Sequence, residues 1–234
     1  MPLVVRTWNV FHGNASPPER RGYLREMIEL VTADKPDLVC LQEVPVWALR
    51  RLEAWSGMQV VGAVARRPRV ASAELGRWVT HAHLGVVRSA VTGQANAILV
   101  SHDHRIDRTF STVVSDTGER RLCHGIHLDD GVCVANFHLT GAYAAQQLQR
   151  AVDVVQAQEL ERCIVAGDVN LRPEESDAYD LLRARGFSDG LGGSIDQVLV
   201  RGLRATSLVA WPEERRTLSG RVLSDHSPVE VTIE

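Results

Sequence analysis

The sequence predicts an α/β sandwich, with sheets packed on each other and helices outside. Three observations predict it. Short β-rich runs bounded by Gly, Asp and Pro recur along the whole chain. Amphipathic helical periodicity appears between some of them. Hairpin signals alternate with helical crossovers, the mixture expected when sheets are covered by helices. No internal repeat, low-complexity tract or linker interrupts the pattern, so a single domain over residues 1–234 is expected.

The expected strands are Leu3–Val10, Asp37–Gln42, Ala97–Ser101, Thr109–Val114, Arg121–Leu128, Val132–Leu139, Cys163–Gly167, Ile195–Val200, Ala205–Ala210 and Pro228–Ile233. Asp129, Asp130 and Gly131 join two of them, and the Asp-Gly step marks a tight hairpin. Pro17–Ala33 reads as a helix, with Leu24, Met27, Ile28 and Val31 on one face, Ser16 as N-cap and Pro17 in the first turn. Ala144–Leu160 places Leu148, Val152, Val155 and Leu160 together. Glu174–Arg185, closed by Gly186, is a third helix and Val46–Trp55 a shorter fourth.

Composition narrows the class. Hydrophobic content of 44% and charged content of 24% describe an ordinary soluble globular chain. No apolar run approaches the roughly 20 residues that span a bilayer, so no stable membrane insertion is expected. The start, MPLVVRTWNV, lacks the charged segment and long apolar stretch of a secretory leader, which gives a cytoplasmic location as the expectation. A net charge of −3 argues against attachment to nucleic acid by bulk charge alone, though not against a local basic groove. Lys35 is the only lysine, so phosphate contacts, if made, fall to arginines and their bidentate geometry. Cys40, Cys123, Cys133 and Cys163 each sit inside an apolar run without a CxxC pair and read as buried, reduced thiols.

Polar residues interrupt the strand runs at their ends. Asn9 closes TWNV, Glu43 follows LVCLQ, Asn136 and His138 close VANFH, and Asp168 and Asn170 close IVAGDVN. Asp196 opens DQVLV, and Asp225-His226 precedes the last strand. Residues two apart on a strand share a face, so Asn136 with His138 and Asp168 with Asn170 each form a pair. One such residue is ordinarily a cap or turn residue. Carboxylates, amides and imidazoles gathered at the ends of several strands fit a site at one rim.

WNV, LQEV, GDVN, IDQV and SDHSPV, in that order, resemble the endonuclease/exonuclease/phosphatase superfamily, and Gly93–Ser101 (GQANAILVS) resembles one of its core strands. The likeness runs from residue 8 to residue 229. It implies a deoxyribonuclease I-like, four-layered α/β sandwich: two mixed, mainly antiparallel sheets face to face, helices outside. It implies a metal-dependent phosphohydrolase, foremost a phosphodiesterase or nuclease. The alternative is a phosphatase or phosphodiesterase acting on phospholipid or small phosphorylated metabolites. A catalytically silent binding module on the same fold is a further alternative, and the presence of the core polar residues argues against it.

By resemblance, Glu43 is the principal ligand of Mg²⁺, with Mn²⁺ as a substitute, Asn9 lies beside it and contacts phosphate, and Asp225 completes the metal region. Asp168 positions or deprotonates the attacking water, Asn170 and His138 contact phosphate, and His226 does so oriented by Asp196. The expected partner is nucleic acid or another phosphodiester, with no obligate protein partner evident. The chemistry is coherent. A phosphodiester repels hydroxide and gathers more charge as water attacks. A hard cation on oxygen ligands offsets that charge. A carboxylate aligns the nucleophile, and amide and imidazole donors hold the phosphoryl oxygens.

The chain also departs from the family. Phe11 stands where some members carry an acidic residue, which removes one metal ligand and leaves the metal count open. The carboxylate partner usual for His138 is not obvious, and Glu74 is a candidate by sequence order. His12 reads as a loop residue near Asn9, and His81, His83, His102, His104, His124 and His127 as structural or surface residues without zinc spacing. Two segments are candidates for substrate contact: Arg66, Arg67 and Arg69 with Trp78, and Trp211–Arg221, in which Trp211 would stack and Arg215 and Arg216 would reach phosphates.

Overall fold

The computed structural model describes residues 2–18, 21–68, 91–116 and 118–234. Its strands are β1 (Leu3–Asn9), β2 (Ala15–Ser16), β3 (Leu38–Val44), β4 (Gln59–Arg66), β5 (Gln94–Val100), β6 (Ile106–Val113), β7 (Leu122–Leu128), β8 (Val132–His138), β9 (Arg162–Asp168), β10 (Asp196–Arg201), β11 (Ala205–Ala210), β12 (Thr217–Leu218), β13 (Arg221–Leu223) and β14 (Val229–Ile233). Its helices are α1 (Leu24–Thr32), α2 (Leu49–Ser56), α3 (Ala144–Gln156) and α4 (Ala178–Ala184).

Two large sheets carry the fold. One runs β11-β14-β1-β3-β5-β4 and the other β10-β9-β8-β7-β6; β12, β13 and β2 form a small third sheet. Only β1–β3 and β8–β9 pair in parallel between named strands. Side-chain alternation sorts the core into layers. Val5, Leu38, Cys40 and Ile98 of the first sheet meet Val132, Val134, Ile164 and Val198 of the second in the centre. Outside the first sheet, Met27, Ile28 and Val31 of α1 and Leu52 of α2 cover Trp8, Val39 and Leu41. Outside the second, Leu148, Val152 and Val155 of α3 and Leu182 of α4 cover Ala135, Phe137 and Val165. The result is the expected four-layered α/β sandwich. Among the described residues, no helix is long and apolar enough to cross a membrane.

The central layer changes character along the strands. Toward one rim the aliphatic side chains give way to Thr7, Gln42 and Asn136. Gln42 Nε2 donates to Thr7 Oγ1 at 2.9 Å and to Asn136 Oδ1 at 2.8 Å. Asn136 Nδ2 donates to the carbonyls of Leu41 and Ala97 in the opposite sheet. Burying these amides is tolerable because their donors are satisfied. Asn136, grouped above with His138, is therefore a brace between the sheets, fully shielded from solvent.

Several expectations need correcting. Ser16 caps no helix: it belongs to β2 and pairs with Val222. Helix α1 begins at Leu24, after Gly22, and the consecutive Pro17 and Pro18 each hold the residue before them, Ser16 and Pro17, out of the helical region. Gln59–Arg66 was not expected as a strand: small Gly62, Ala63 and Ala65 dilute its β signal, although Gly62 lets the Leu49 side chain approach. The Asp129–Gly131 hairpin forms as expected, with Gly131 at φ +84°.

Gly167 precedes Asp168 on β9, and a Cβ there would sit 2.0 Å from the Phe137 carbonyl oxygen of β8. The obstacle is backbone, which cannot rotate away. Gly167→Ala is expected to cost about 4 kcal/mol or more, a fall in Tm of about 10 °C for a chain of this size. Thermal unfolding followed by circular dichroism reads this directly.

Candidate active site

The polar rim lies beyond this brace. It is formed by the C-terminal ends of β1, β3, β8 and β9, the N-terminal ends of β5 and β10, and the loop before β14. Register sets most of it. His138 aligns with Asp168 across β8–β9, and Asp168 aligns with Asp196 across β9–β10. These three side chains therefore stand in one row on the inner face of the second sheet.

Glu43 arrives differently. Cys40 is on the inner face, so strict alternation would turn Glu43 toward the helices. The β3–β5 pairing shifts register between Leu41 and Val44, and Glu43 takes φ +55°. This bulge re-aims the carboxylate into the rim. Its oxygens lie 3.5 Å from His12 Nε2 and 3.8 Å from His138 Nε2. His12 is placed by a tight turn in which Phe11 and His12 both have positive φ and the Phe11 amide donates to Asn9 Oδ1.

Asn9 joins the two halves. Its Nδ2 donates to Asp168 Oδ2 at 2.9 Å, and its side chain also hydrogen-bonds Glu43. Asp168 Oδ2 lies 3.4 Å from His138 Nε2 and 3.8 Å from His226 Nε2. The Asn170 backbone amide donates to Asp168 Oδ1, while its side-chain amide donates to the Leu139 carbonyl and faces the cavity. His226 Nδ1 sits 2.8 Å from Asp196 Oδ2. Its loop is tied to β1: Ser224 Oγ donates to the Asn9 carbonyl and the Trp8 indole donates to the His226 carbonyl.

Burial and charge divide these groups. Burial pushes the Glu43 carboxyl up to about 7, against the hydrogen bond from Asn9 and with help from Asp168. Burial and the neighbouring Asp196 charge hold Asp168 above the usual carboxylate range. Burial alone would lower His226, but the hydrogen bond and charge of Asp196, with Asp168 and Asp225, raise it to about 9. His226 is thus an imidazolium at neutral pH, in an ion pair with Asp196. His138 goes the other way: burial and the charge of Arg121 hold it well below its usual value.

A cavity of about 480 Å³ opens on this cluster, lined among others by Glu43, Gln94, Arg121, His138, Asp168 and His226. A second, of similar volume, lies on the other side of His226 and is lined by Arg172, Ser194, Asp196 and Asp225. The Asp225 carboxylate, 54% exposed, is 4.0 Å from His226 Nε2 and belongs to this second side. Sequence reasoning missed Gln94 and Arg121. Gln94 Nε2 lies 2.9 Å from His138 Nδ1. Arg121 is buried, donates to Thr140 Oγ1 and pairs with Glu119 at 3.0 Å. A hydrogen bond to a strand 44 residues away leaves no local signature.

The donor set fits a hard cation. Glu43 is a largely buried carboxylate facing the cavity, and among the described residues no guanidinium comes within ion-pair distance of it. A buried anion in that position calls for positive charge. The carboxylate oxygens of Glu43 would supply ligands suited to Mg²⁺; the Asn9 oxygen accepts from the Phe11 amide, and its Nδ2 faces the carboxylates. Asp168, Asp196 and His226 also offer ligand atoms within 4.8 Å of one another, but the Asp196–His226 ion pair accounts for that grouping.

The other expected contacts resolve unevenly. Trp211 does not offer a stacking face. It is 3% exposed, lies between the guanidinium groups of Arg6 and Arg215, and donates to Glu230. Arg216 is buried and donates to the carbonyls of Leu223 and Ser224, so it supports the His226 loop instead of reaching outward. Arg66 lies 4.0 Å from Glu119 at the cavity wall. Arg69, Glu74, Trp78, His81 and His83 fall outside the described residues. His104 pairs with Asp37, and His127 with Gln158, both away from the rim.

The family model of the endonuclease/exonuclease/phosphatase family matches residues 7–226. The chain belongs to that family. Family members are hydrolases acting on phosphoester bonds and generally use divalent metals. Solved structures share the fold. An endonuclease/exonuclease/phosphatase from Beutenbergia cavernae superposes with a TM-score of 0.74 at 18% identity, over 100% of this chain and 71% of that one. A mannosyl-6-phosphatase from Bacteroides thetaiotaomicron gives 0.71 at 16% identity over 99% of both chains. The human Nocturnin catalytic domain, with bound sulfate anion, gives 0.63 at 17% identity over 100% of this chain and 94% of that one. No curated protein sequence matches the chain.

Proposed function

We propose that this family member is a Mg²⁺-dependent phosphodiesterase, with nucleic acid as its first substrate class. The observation that carries the reading is the position of His226. It is an Asp196-backed imidazolium at the boundary of two cavities, with Glu43 and Asp168 on one side. A phosphodiester carries a substituent on each side of phosphorus, and the two cavities offer room for both.

Glu43 would hold the cation, its carboxylate steadied by the Asn9 amide, while Asp225 faces the second cavity on the other side of His226. When bound, Mg²⁺, or Mn²⁺ in its place, supplies positive charge against the phosphoryl oxygens. Asp168, a carboxylate of raised basicity fixed by Asn9 and the Asn170 amide, orients water and takes its proton. His226 donates Nε2–H to a phosphoryl oxygen, as do His138 and the second amide hydrogen of Asn170. Arg121 adds a fixed guanidinium to the wall. A smaller phosphorylated metabolite is the second reading. It is favoured by the net charge of −3.

A panel assay tests this. Purified protein with Mg²⁺ or Mn²⁺ is offered single- and double-stranded DNA, RNA, bis-(p-nitrophenyl) phosphate, sphingomyelin and phosphomonoesters, with EDTA as control. Diester hydrolysis abolished by EDTA is the expected result. A steep loss of DNA cleavage with rising salt would mark a backbone-tracking nuclease, and a flat response the metabolite reading. Turnover of monoesters alone, or turnover insensitive to EDTA, would overturn the proposal.

A further inference from the structure

The two rim histidines are backed by different chemistry. His226 Nδ1 faces the carboxylate of Asp196 at 2.8 Å. His138 Nδ1 faces the side-chain amide of Gln94 at 2.9 Å. The other nitrogen of His138 faces two carboxylates, Asp168 at 3.4 Å and Glu43 at 3.8 Å. Carboxylate oxygens on that side favour a hydrogen on Nε2. A neutral ring then has a bare Nδ1, and the partner for a bare nitrogen is an N–H. Gln94 supplies it, from the start of β5, with its side chain shielded from solvent.

We propose that Gln94 is a positioning residue, whose amide fixes His138 as a neutral, Nε2–H tautomer aimed into the cavity. The inference rests on the reading of the rim as a phosphodiesterase site. It adds a division of labour. A carboxylate behind a histidine stabilises the charged ring and suits it to face phosphoryl oxygens as a cation. An amide donor does the reverse, since a second ring proton would confront its N–H. His138 is therefore a hydrogen-bond donor that keeps its proton, whereas His226, backed by Asp196, meets the substrate as a charged imidazole. The chain meets the need for a partner behind His138 with a residue that cannot take a negative charge.

The first test is spectroscopic. In ¹⁵N-histidine-labelled, metal-free protein, with His138 assigned by its loss in His138→Gln, Nδ1 is expected at the unprotonated and Nε2 at the protonated chemical shift through pH 6–8. A protonated Nδ1 would overturn the inference. Two near-isosteric variants then test the cause. Gln94→Met removes the donor. It is expected to leave His138 as a mixture of tautomers and to lower kcat about tenfold to a hundredfold with little change in KM. Gln94→Glu offers an acceptor and is expected to place a hydrogen on Nδ1. A single Nε2–H tautomer and full kcat in Gln94→Met would also overturn it. If the wild-type protein hydrolyses no phosphoester, the functional reading fails while the tautomer measurement still decides the role of Gln94.

Discussion

Glu43→Gln is expected to raise the stability of the metal-free protein while lowering phosphodiester hydrolysis about a thousandfold, the loss of several kcal/mol of charge stabilisation. Both effects follow from one carboxylate. Its pKa rises from 4.5 to about 7 on folding, mainly through burial. The folded protein binds that proton more tightly than the unfolded chain, so stability falls as pH climbs from 4.5 through 7. Above pH 8 the full cost is present, on the order of 2 kcal/mol after allowance for partial exposure. Glutamine keeps the hydrogen bond with Asn9 and carries no charge. The variant should melt about 5 °C higher at pH 8 and no higher at pH 4. Adding Mg²⁺ should stabilise only the wild type. Equal melting of the two proteins at pH 8 would show that Glu43 is not an unsatisfied charge.

His226→Ala is the second large effect. Turnover should fall about a thousandfold, because the variant loses a charged donor to the phosphoryl group. The fold should persist at lower stability, since Asp196 loses its partner at 2.8 Å. The pH dependence separates chemistry from packing. The raised pKa of His226 contributes stability that is complete below 6.5 and disappears as pH rises through 9. Activity that needs the imidazolium should show an alkaline limb near 9. In Asp196→Asn the largest raising influence is gone, and the limb should move down toward 6.5. A pH–rate profile of kcat/KM, which reports ionisations of the free enzyme, is the measurement. An unchanged alkaline limb in Asp196→Asn would remove His226 from the role given to it.

The sequence was most legible where chemistry repeats a short motif. GDVN and SDHSPV pointed to Asp168, Asn170 and His226, which the fold gathers at one rim, whereas Asp225 faces the second cavity. The meeting of His138 with Asp168 came from the β8–β9 register, which the sequence does not spell out. The four layers followed from runs of Val, Ile and Leu and from helices with one apolar face. What stayed hidden was the product of backbone detail and distance. Alternation alone turns Glu43 the wrong way, and the bulge that corrects it has no residue signature. Gln94 and Arg121 are ordinary residues at strand starts, given meaning by neighbours on other strands. Trp211 and Arg216 were misread because a Trp–Arg loop looks the same whether it faces solvent or packs beneath one. Ser16 with Pro17 has the form of a helix start, yet a two-residue strand claims Ser16 first.

The brace of Thr7, Gln42 and Asn136 ties the two sheets directly beneath the rim, and each sheet holds only half of the polar set. Neither half alone can engage a ligand. A bound phosphate analogue should therefore slow amide hydrogen exchange in β1 and β9 by a similar factor, because exposing either strand means parting the halves and releasing the ligand. Ligand occupancy is then expected to act as a latch on the whole sandwich, and the slowest-exchanging amides should report it.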